Sequence, residues 1–444
     1  MTHPAPQPQT LSRPRSTLAA WLMSALVLLA FAHGARSGLP AWPAGLAAWG
    51  AGVALWPRLD HKQRRFALIL CGLGAAALLA ALARGLAPAW SGVLTQNTPL
   101  LGMLAAVSFL QLVGIDRDGT RPLPTGRRAL WQTIAGVHVF GAVINMSVVF
   151  IVAERLAHAG ALTRQQAAAI ARGFLLAALW SPFFAAMAVA LTYAPGARLA
   201  AVALAGAPLA AVLLWIAVRT LPRPVEGEPS TFVGFPMRPS ALWLPLVLTV
   251  VVTAGHWLLP AWSSLAIIAG AALAISVAAA LVARGPVDGL EAIADHARRR
   301  LPAMSGELML FLAAGVFATG LQALMQADSG WLPFDRFGPL QAALVLALMI
   351  AAAGIGVHPV VTIVIASAWL APLSPDPLLL AMVFLMSWGV GLSINPMAGV
   401  HLSLQGRFGL PALGLARANL RYCAVAYAIA AAWLFVVALL RGLA

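Results

Sequence analysis

Stretches of roughly twenty mostly apolar residues recur along the entire chain, and that recurrence constrains the fold more tightly than any motif. The first are Thr17 to Ala35, Pro40 to Trp56 and Phe66 to Ala87. Each is long enough to cross the hydrocarbon core of a bilayer as a helix, which keeps all its backbone hydrogen bonds within one segment. Of 444 residues, 61% are hydrophobic and only 9% charged, and the mean hydropathy is +0.89. So little polar side chain cannot cover a water-facing surface of this size. The chain reads as an all-α polytopic membrane protein whose principal partner is the lipid bilayer.

The first apolar stretch follows Arg13 and Arg15, as a secretory leader would. The flank Ala32-His33-Gly34-Ala35-Arg36 makes a poor cleavage site, so the stretch is expected to remain as a helix. The net charge of +15 would suggest nucleic acid in a soluble protein. Here the arginines fall in short loops between apolar spans and mark topology instead, so no nucleic-acid partner is expected. Cys71 and Cys423 both lie inside apolar stretches, which implies neither a disulfide framework nor a thiolate metal cluster.

The two halves of the chain match in outline. Two plain spans, 40–56 and 66–87, precede an apolar stretch beginning Asn97-Thr98-Pro99; spans 241–259 and 262–283 precede one beginning Ser305-Gly306-Glu307. Each half then has a glycine-interrupted segment, from Gly141 to Val149 and from Gly354 to Thr362. A third pair follows, Trp180 to Val189 and Leu392 to His401, with Ser and Pro where an unbroken helix would run. Spans 198–218 and 422–441 close the halves. The expected organisation is a cytoplasmic N-terminus with an extra helix (1–37), repeat 1 (38–220), a cytoplasmic linker (221–240) and repeat 2 (241–444).

Charge tests this outline, because Lys and Arg collect in cytoplasmic loops. Suppose the glycine-interrupted segments are re-entrant hairpins and every other segment crosses once. With the N-terminus inside, all 28 Lys and Arg fall inside except Arg36, Arg84, Arg198, Arg336 and Arg441. Treating both hairpins as single crossings moves Arg155, Arg164, Arg219 and the Arg298-Arg299-Arg300 cluster outside and erases the bias. The hairpin arrangement gives each half an odd number of crossings, so the second half is inverted relative to the first. The total is about eleven transmembrane helices plus two re-entrant hairpins.

Backbone that leaves its helix within a membrane needs protein or water to satisfy its N–H and C=O groups, so the breaks point to a cavity. The N-termini of half-helices suit an anion, and unwound carbonyls suit Na⁺. The polar side chains at the breaks are Asn145, Ser147, Ser181, His358, Thr362, Ser393 and Asn395. These seven are the candidate substrate and ion ligands, with interhelical hydrogen bonding as the ordinary alternative for each. His358 could carry a coupling proton or serve as a neutral structural group. His138 is a further intramembrane candidate. Glu307 reads as an interfacial group, as do Glu154 and Arg172 beside the first hairpin; His256 and His401 read as lying near segment ends. Residues 287–300, with Leu290, Ile293 and Ala297, read as a short amphipathic interfacial helix.

The order of spans, hairpin and broken helix, repeated upside down, resembles the ion transporter superfamily, which includes divalent anion/sodium symporters and the membrane subunits of tripartite dicarboxylate transporters. Gly306 to Gly315 is similar to the glycine-bearing helix before the second hairpin in those families. In the dicarboxylate symporters a Ser-Asn-Thr motif marks each hairpin tip; here the tips read Asn145-Met146-Ser147 and His358-Pro359, so neither substrate nor coupling ion carries over. The resemblance implies a homodimer with a scaffold and a moving transport domain.

The sequence contains no Walker-type glycine loop, no His-Glu-x-x-His, no Cys-x-x-Cys and no Gly-x-Ser-x-Gly. Enzyme chemistry and ATP hydrolysis are not expected, and no cofactor is expected beyond a coupling H⁺ or Na⁺. The reading is a secondary active transporter of a small anionic solute with a midplane site. The alternatives are a membrane subunit of a multicomponent transport system, an assembly factor, or a membrane-embedded enzyme, for which Asp328, Asp335, Arg336 and Asp376 are the few charges available on the outer side.

Overall fold

The computed structural model describes residues 13–113, 122–158, 160–224, 229–236, 243–325 and 334–443. Asp328 and the linker positions 225–228 and 237–240 lie outside the described residues. Among those described, the chain is all-helical, with one isolated backbone bridge between Thr125 and Val233.

The helices run in the order anticipated from the apolar stretches. α1 (Arg13–Gly34), α2 (Trp42–Leu55) and α3 (His61–Ala83) are followed by α4 (Trp90–Thr95) and α5 (Thr98–Ser108). The first hairpin is α6 (Gly126–Ile144) and α7 (Met146–Ala157), and the first broken helix is α8 (Arg164–Leu176) and α9 (Ala185–Tyr193). α10 (Leu199–Arg219), α11 (Trp243–Leu258), α12 (Ser264–Arg284), α13 (Pro286–Arg299) and α14 (Ser305–Met325) follow. α15 (Pro339–Gly354) and α16 (Pro359–Leu370) form the second hairpin, and α17 (Pro377–Gly389) and α18 (Gly399–Phe408) the second broken helix. α19 (Ala412–Ala418) and α20 (Leu420–Leu440) complete the chain. Among the described residues, seven helical segments are long and apolar enough to cross a membrane, and further apolar helices are shorter. Large apolar side chains point outward on them: Leu204 is 75% exposed and Val282 88%. Such faces suit hydrocarbon.

Local chemistry sets many of the boundaries. Asp60 opens α3 through a reciprocal cap with Gln63, and Thr163 opens α8 the same way with Gln166. Asp376 accepts from the backbone N–H groups of Leu378 and Leu379 at the start of α17. Pro339, Pro359 and Pro377 each occupy a first helical position, where the missing N–H costs nothing. The span that the sequence begins at Asn97 starts earlier, at Trp90, and is interrupted at Gln96 and Asn97. Pro99 provides no N–H, and buried Asn97 donates instead to the Phe311 carbonyl at 2.8 Å.

The chain divides into two compact units, each drawing the corresponding portion from both halves. Unit 1 combines residues 1–113 with 251–331. Its tightest crossing joins α3 and α14, where a β-carbon on Gly74 would lie 2.7 Å from the Val316 backbone and one on Gly320 would lie 2.2 Å from the Gly74 carbonyl oxygen. Only glycines permit this approach, and the backbones touch directly. The amphipathic α13 forms as anticipated, with Val287 and Leu290 exposed and His296 buried against Phe109 and hydrogen-bonded to Ser108 at 3.0 Å. His256 joins the end of α11 to the start of α12 through Ser264, 3.0 Å away. Glu307 is exposed in the first turn of α14, where a carboxylate complements the helix N-terminus.

Unit 2 combines 114–250 with 332–444 and contains both hairpins and both broken helices. Part of the linker is pinned rather than free. Gly126 donates to the Phe232 carbonyl, Gly234 to that of Pro124, and the Gln166 side chain to that of Val233. Phe232 packs with Ala129, Ile134, Ala169 and Val218.

Candidate functional site

The four breaks fall where Gly, Asn, Ser and Pro interrupt the apolar runs, and unit 2 brings them together in two pairs. At the first hairpin tip, Asn145 ends α6 and begins α7 with φ 52° and ψ −137°, a conformation that glycine adopts more readily than any other residue. Its side chain holds this turn in place by donating through Nδ2 to the Phe183 carbonyl, 3.2 Å away in the first broken helix. Ser181, fully buried in that same break, donates through Oγ to the Ala142 carbonyl of α6 and accepts from the Phe183 N–H at 3.2 Å. Two orphan carbonyls and one orphan N–H are thereby satisfied across the pair. Ser147 is half-buried in the first turn of α7.

The second pair has the same form with the roles exchanged. Asn395, in the break after α17, donates through Nδ2 to the Val357 carbonyl at the second hairpin tip, 3.0 Å away, and its Oδ1 accepts from Met397 N–H at 2.7 Å. His358 caps α16, its Nδ1 accepting from Val360 N–H at 3.3 Å, which leaves the proton on Nε2; its ring meets Trp388 edge-on at 5.3 Å between centroids. Thr362 bonds back to the Pro359 carbonyl at 3.0 Å. Ser393 is fully buried, donates to Val390 and presents its own carbonyl to Asn419 Nδ2 at 2.9 Å. The pairs join where Gly389 of α17 packs on the Leu175 carbonyl and the Leu179 side chain, leading into the first break.

Three features of this region were not visible as such in the sequence. His138, on α6, donates from Nδ1 to the Gly173 carbonyl at 3.1 Å and accepts at Nε2 from Trp180 Nε1–H at 2.9 Å. Both ring nitrogens are committed, so this histidine is a neutral strut bracing the first break. His401 lies near a helix end, as the sequence suggests, but faces inward. Because α18 begins at Gly399, it falls in the first turn after the second break, fully buried; its Nδ1 donates to the Asn395 carbonyl at 2.9 Å and its Nε2 has no partner among the described residues.

Arg172 corrects the sequence reading most sharply. It is not an exposed loop charge but is fully buried on α8. Its Nε donates to Asn419 Oδ1 at 2.7 Å, and its Nη1 donates to the Ala217 carbonyl at 3.0 Å and to Thr220 Oγ1 at 3.2 Å. Glu154, by contrast, is exposed and pairs with Arg407, joining α7 to α18.

The described carboxylates of unit 2 are Glu154, Asp335 and Asp376. Glu154 pairs with Arg407, Asp376 pairs with Arg441 at 2.9 Å, and Asp335 is exposed. Among the described residues, the breaks therefore present half-helix N-termini, carbonyls, hydroxyls and amides without a carboxylate. Such a set can hold an anion or a weakly hydrated cation.

No protein-family model matches the sequence, and no curated protein matches it. In overall backbone course the chain is similar to the YdaH transporter of Alcanivorax borkumensis, with a TM-score of 0.41 and 15% identity over 95% of this chain and 97% of that one.

Proposed function

We propose that this protein is a secondary active transporter, driven by H⁺ or Na⁺, which moves a small anionic organic solute across an inner membrane by alternating access. The observation that carries this reading is the reciprocal pairing of hairpin tip and broken helix within unit 2, Asn145 to Phe183 and Asn395 to Val357. Backbone opened at matched places in two repeats is costly in hydrocarbon unless it serves a wet pocket. The N-termini of α7, α9, α16 and α18 begin at these breaks, and no described carboxylate accompanies them, which favours an anionic solute. Asn145, Ser147, Ser181, His358, Thr362, Ser393 and Asn395 are the proposed ligands. On this reading unit 2 is the moving transport domain and unit 1 the scaffold of a homodimer, within the ion transporter superfamily. The arginine bias supports a cytoplasmic N-terminus.

The test is a thermal-shift screen of carboxylates, amino acids and metal oxyanions on purified protein, with and without Na⁺ and at two pH values. A ligand at about 100-fold excess over its Kd stabilises by about 2.7 kcal/mol. The best ligand should then enter proteoliposomes under a Na⁺ or H⁺ gradient. Uptake under neither gradient would sink the transport reading, and normal binding by both Asn395→Ala and His358→Ala would sink the site.

A further inference from the structure

Arg172 is a permanently charged group, fully buried, and its hydrogen-bond acceptors are all neutral. Its guanidinium carbon lies 4.5 Å above the centre of the Tyr422 ring, an arrangement that offsets part of the desolvation cost but supplies no counter-charge. Two hydrogen-bonding groups of this stacked pair are left over. Arg172 Nη2 and Tyr422 Oη are both buried and have no partner among the described residues. An N–H of a cation and a phenolic O–H can both donate, so their common complement is an acceptor, and beside a buried guanidinium whose other acceptors are neutral an anionic acceptor is favoured.

We propose that Arg172 Nη2 and Tyr422 Oη hold a small inorganic monovalent anion of chloride size. Arg172 on α8 and Tyr422 on α20 are not among the ligands proposed at the breaks, so this position does not rest on the transport reading. The anion would neutralise the guanidinium and fix the orientation of its remaining contacts. One of those is Asn419, which in turn donates to the Ser393 carbonyl beside the second break. An anion here would thus stiffen the second break from behind, linking Arg172 of the first half to Ser393 of the second.

The experiment uses the full-length purified protein, exchanged into methanesulfonate buffer and titrated with sodium chloride, sodium bromide or further sodium methanesulfonate at constant ionic strength. Thermal stability should rise saturably with chloride and bromide and stay flat with methanesulfonate. Tyr422→Phe, which removes only the hydroxyl, should weaken the apparent chloride affinity about tenfold, the worth of one charge-assisted hydrogen bond. Arg172→Gln should abolish the effect; should that variant not fold, Arg172→Lys retains the charge and should weaken the response while preserving it. Crystals grown in bromide should show an anomalous peak within hydrogen-bonding distance of Nη2. The proposal is overturned by a chloride response that is absent in the parent or undiminished in Tyr422→Phe. An ordered water without anomalous signal at that position overturns it equally.

Discussion

Asn395 and Val357, 38 residues apart in sequence, are joined by a 3.0 Å hydrogen bond from the amide Nδ2 to the backbone carbonyl, which ties the second broken helix to the tip of the second hairpin. The other side-chain atom of the same residue, Oδ1, accepts from Met397 N–H at 2.7 Å. Asn395→Ala leaves both backbone groups without these partners. Each unsatisfied buried group costs about 1–3 kcal/mol, so a clear fall in thermal stability is expected together with loss of ligand-induced stabilisation. Asn395→Asp keeps the acceptor for Met397 but turns a buried carboxylate oxygen toward the Val357 carbonyl, so it should be no more stable than Asn395→Ala and should bind no ligand, read from melting curves with and without ligand.

Asn145 carries a similar tie in the first half, on a backbone turned to φ 52°. Asn145→Gly relieves the backbone and removes only the bond to Phe183, whereas Asn145→Val removes the bond and adds a branched side chain where φ is positive. Strain of this kind is worth about 1–3 kcal/mol. Valine should therefore be the less stable variant by that margin in denaturant or thermal unfolding. Equal stability of the two would show that the turn is unstrained.

The positions of these breaks were legible because the residues that interrupt a helix are chemically conspicuous: Asn at the first tip, Gly354, Gly356 and Pro359 around the second, Ser-Pro and Asn-Pro in the broken helices. Which side chains complete the site was less legible. Arg172 is surrounded by Ala-Ile-Ala and Gly-Phe-Leu, and its partner Asn419 is 247 residues away, so nothing nearby reveals that this helix face is enclosed on every side. His401 falls near a helix end, in the first turn of α18 after the Asn-Pro break, but nothing nearby in the sequence reveals that this turn is fully enclosed. The commitment of both His138 nitrogens depends on Trp180 and Gly173, two turns and a break apart, and periodicity alone does not encode it.

His138 and Trp180 form a buried polar pair that can be tested by a double-mutant cycle. Trp180→Phe strips the proton from the bond and leaves Nε2 of His138 an unpaired acceptor, for an expected loss of about 1–3 kcal/mol. Removing both polar partners, as His138→Phe with Trp180→Phe, removes that unpaired acceptor but takes the Nδ1 donor from the Gly173 carbonyl, so it should recover only part of that loss. Additive losses in unfolding experiments would mean that the two side chains act independently.

The Glu154–Arg407 pair gives the opposite expectation. Both side chains are about half exposed, so Arg407→Ala should change stability by less than about 1 kcal/mol. The pair nevertheless connects α7 to α18, and its removal should show as a salt-sensitive change in uptake rate with little movement of the melting temperature. A large stability loss would indicate that stacking of Arg407 on Phe150, 4.3 Å from the ring centre, matters more than the ion pair.

Gly206 and Gly399 separate a glycine needed for packing from one that is not. A β-carbon on Gly206 of α10 would lie 1.8 Å from the Leu179 carbonyl oxygen, in the turn immediately before the first break. A backbone carbonyl cannot rotate away as a side chain can, so Gly206→Ala must displace that turn and, with it, the Ser181 to Ala142 bond that holds the break to the hairpin. A loss of about 3 kcal/mol, the upper end of ordinary overpacking, is expected in thermal unfolding, along with weakened ligand binding. Gly399 begins α18 with nothing within 4 Å of the same added carbon, so Gly399→Ala has room and should leave stability unchanged or raise it by up to about 1 kcal/mol through helix propensity. If the two alanine variants melted together, direct packing of α10 on the turn before the first break would not be what holds that break in register.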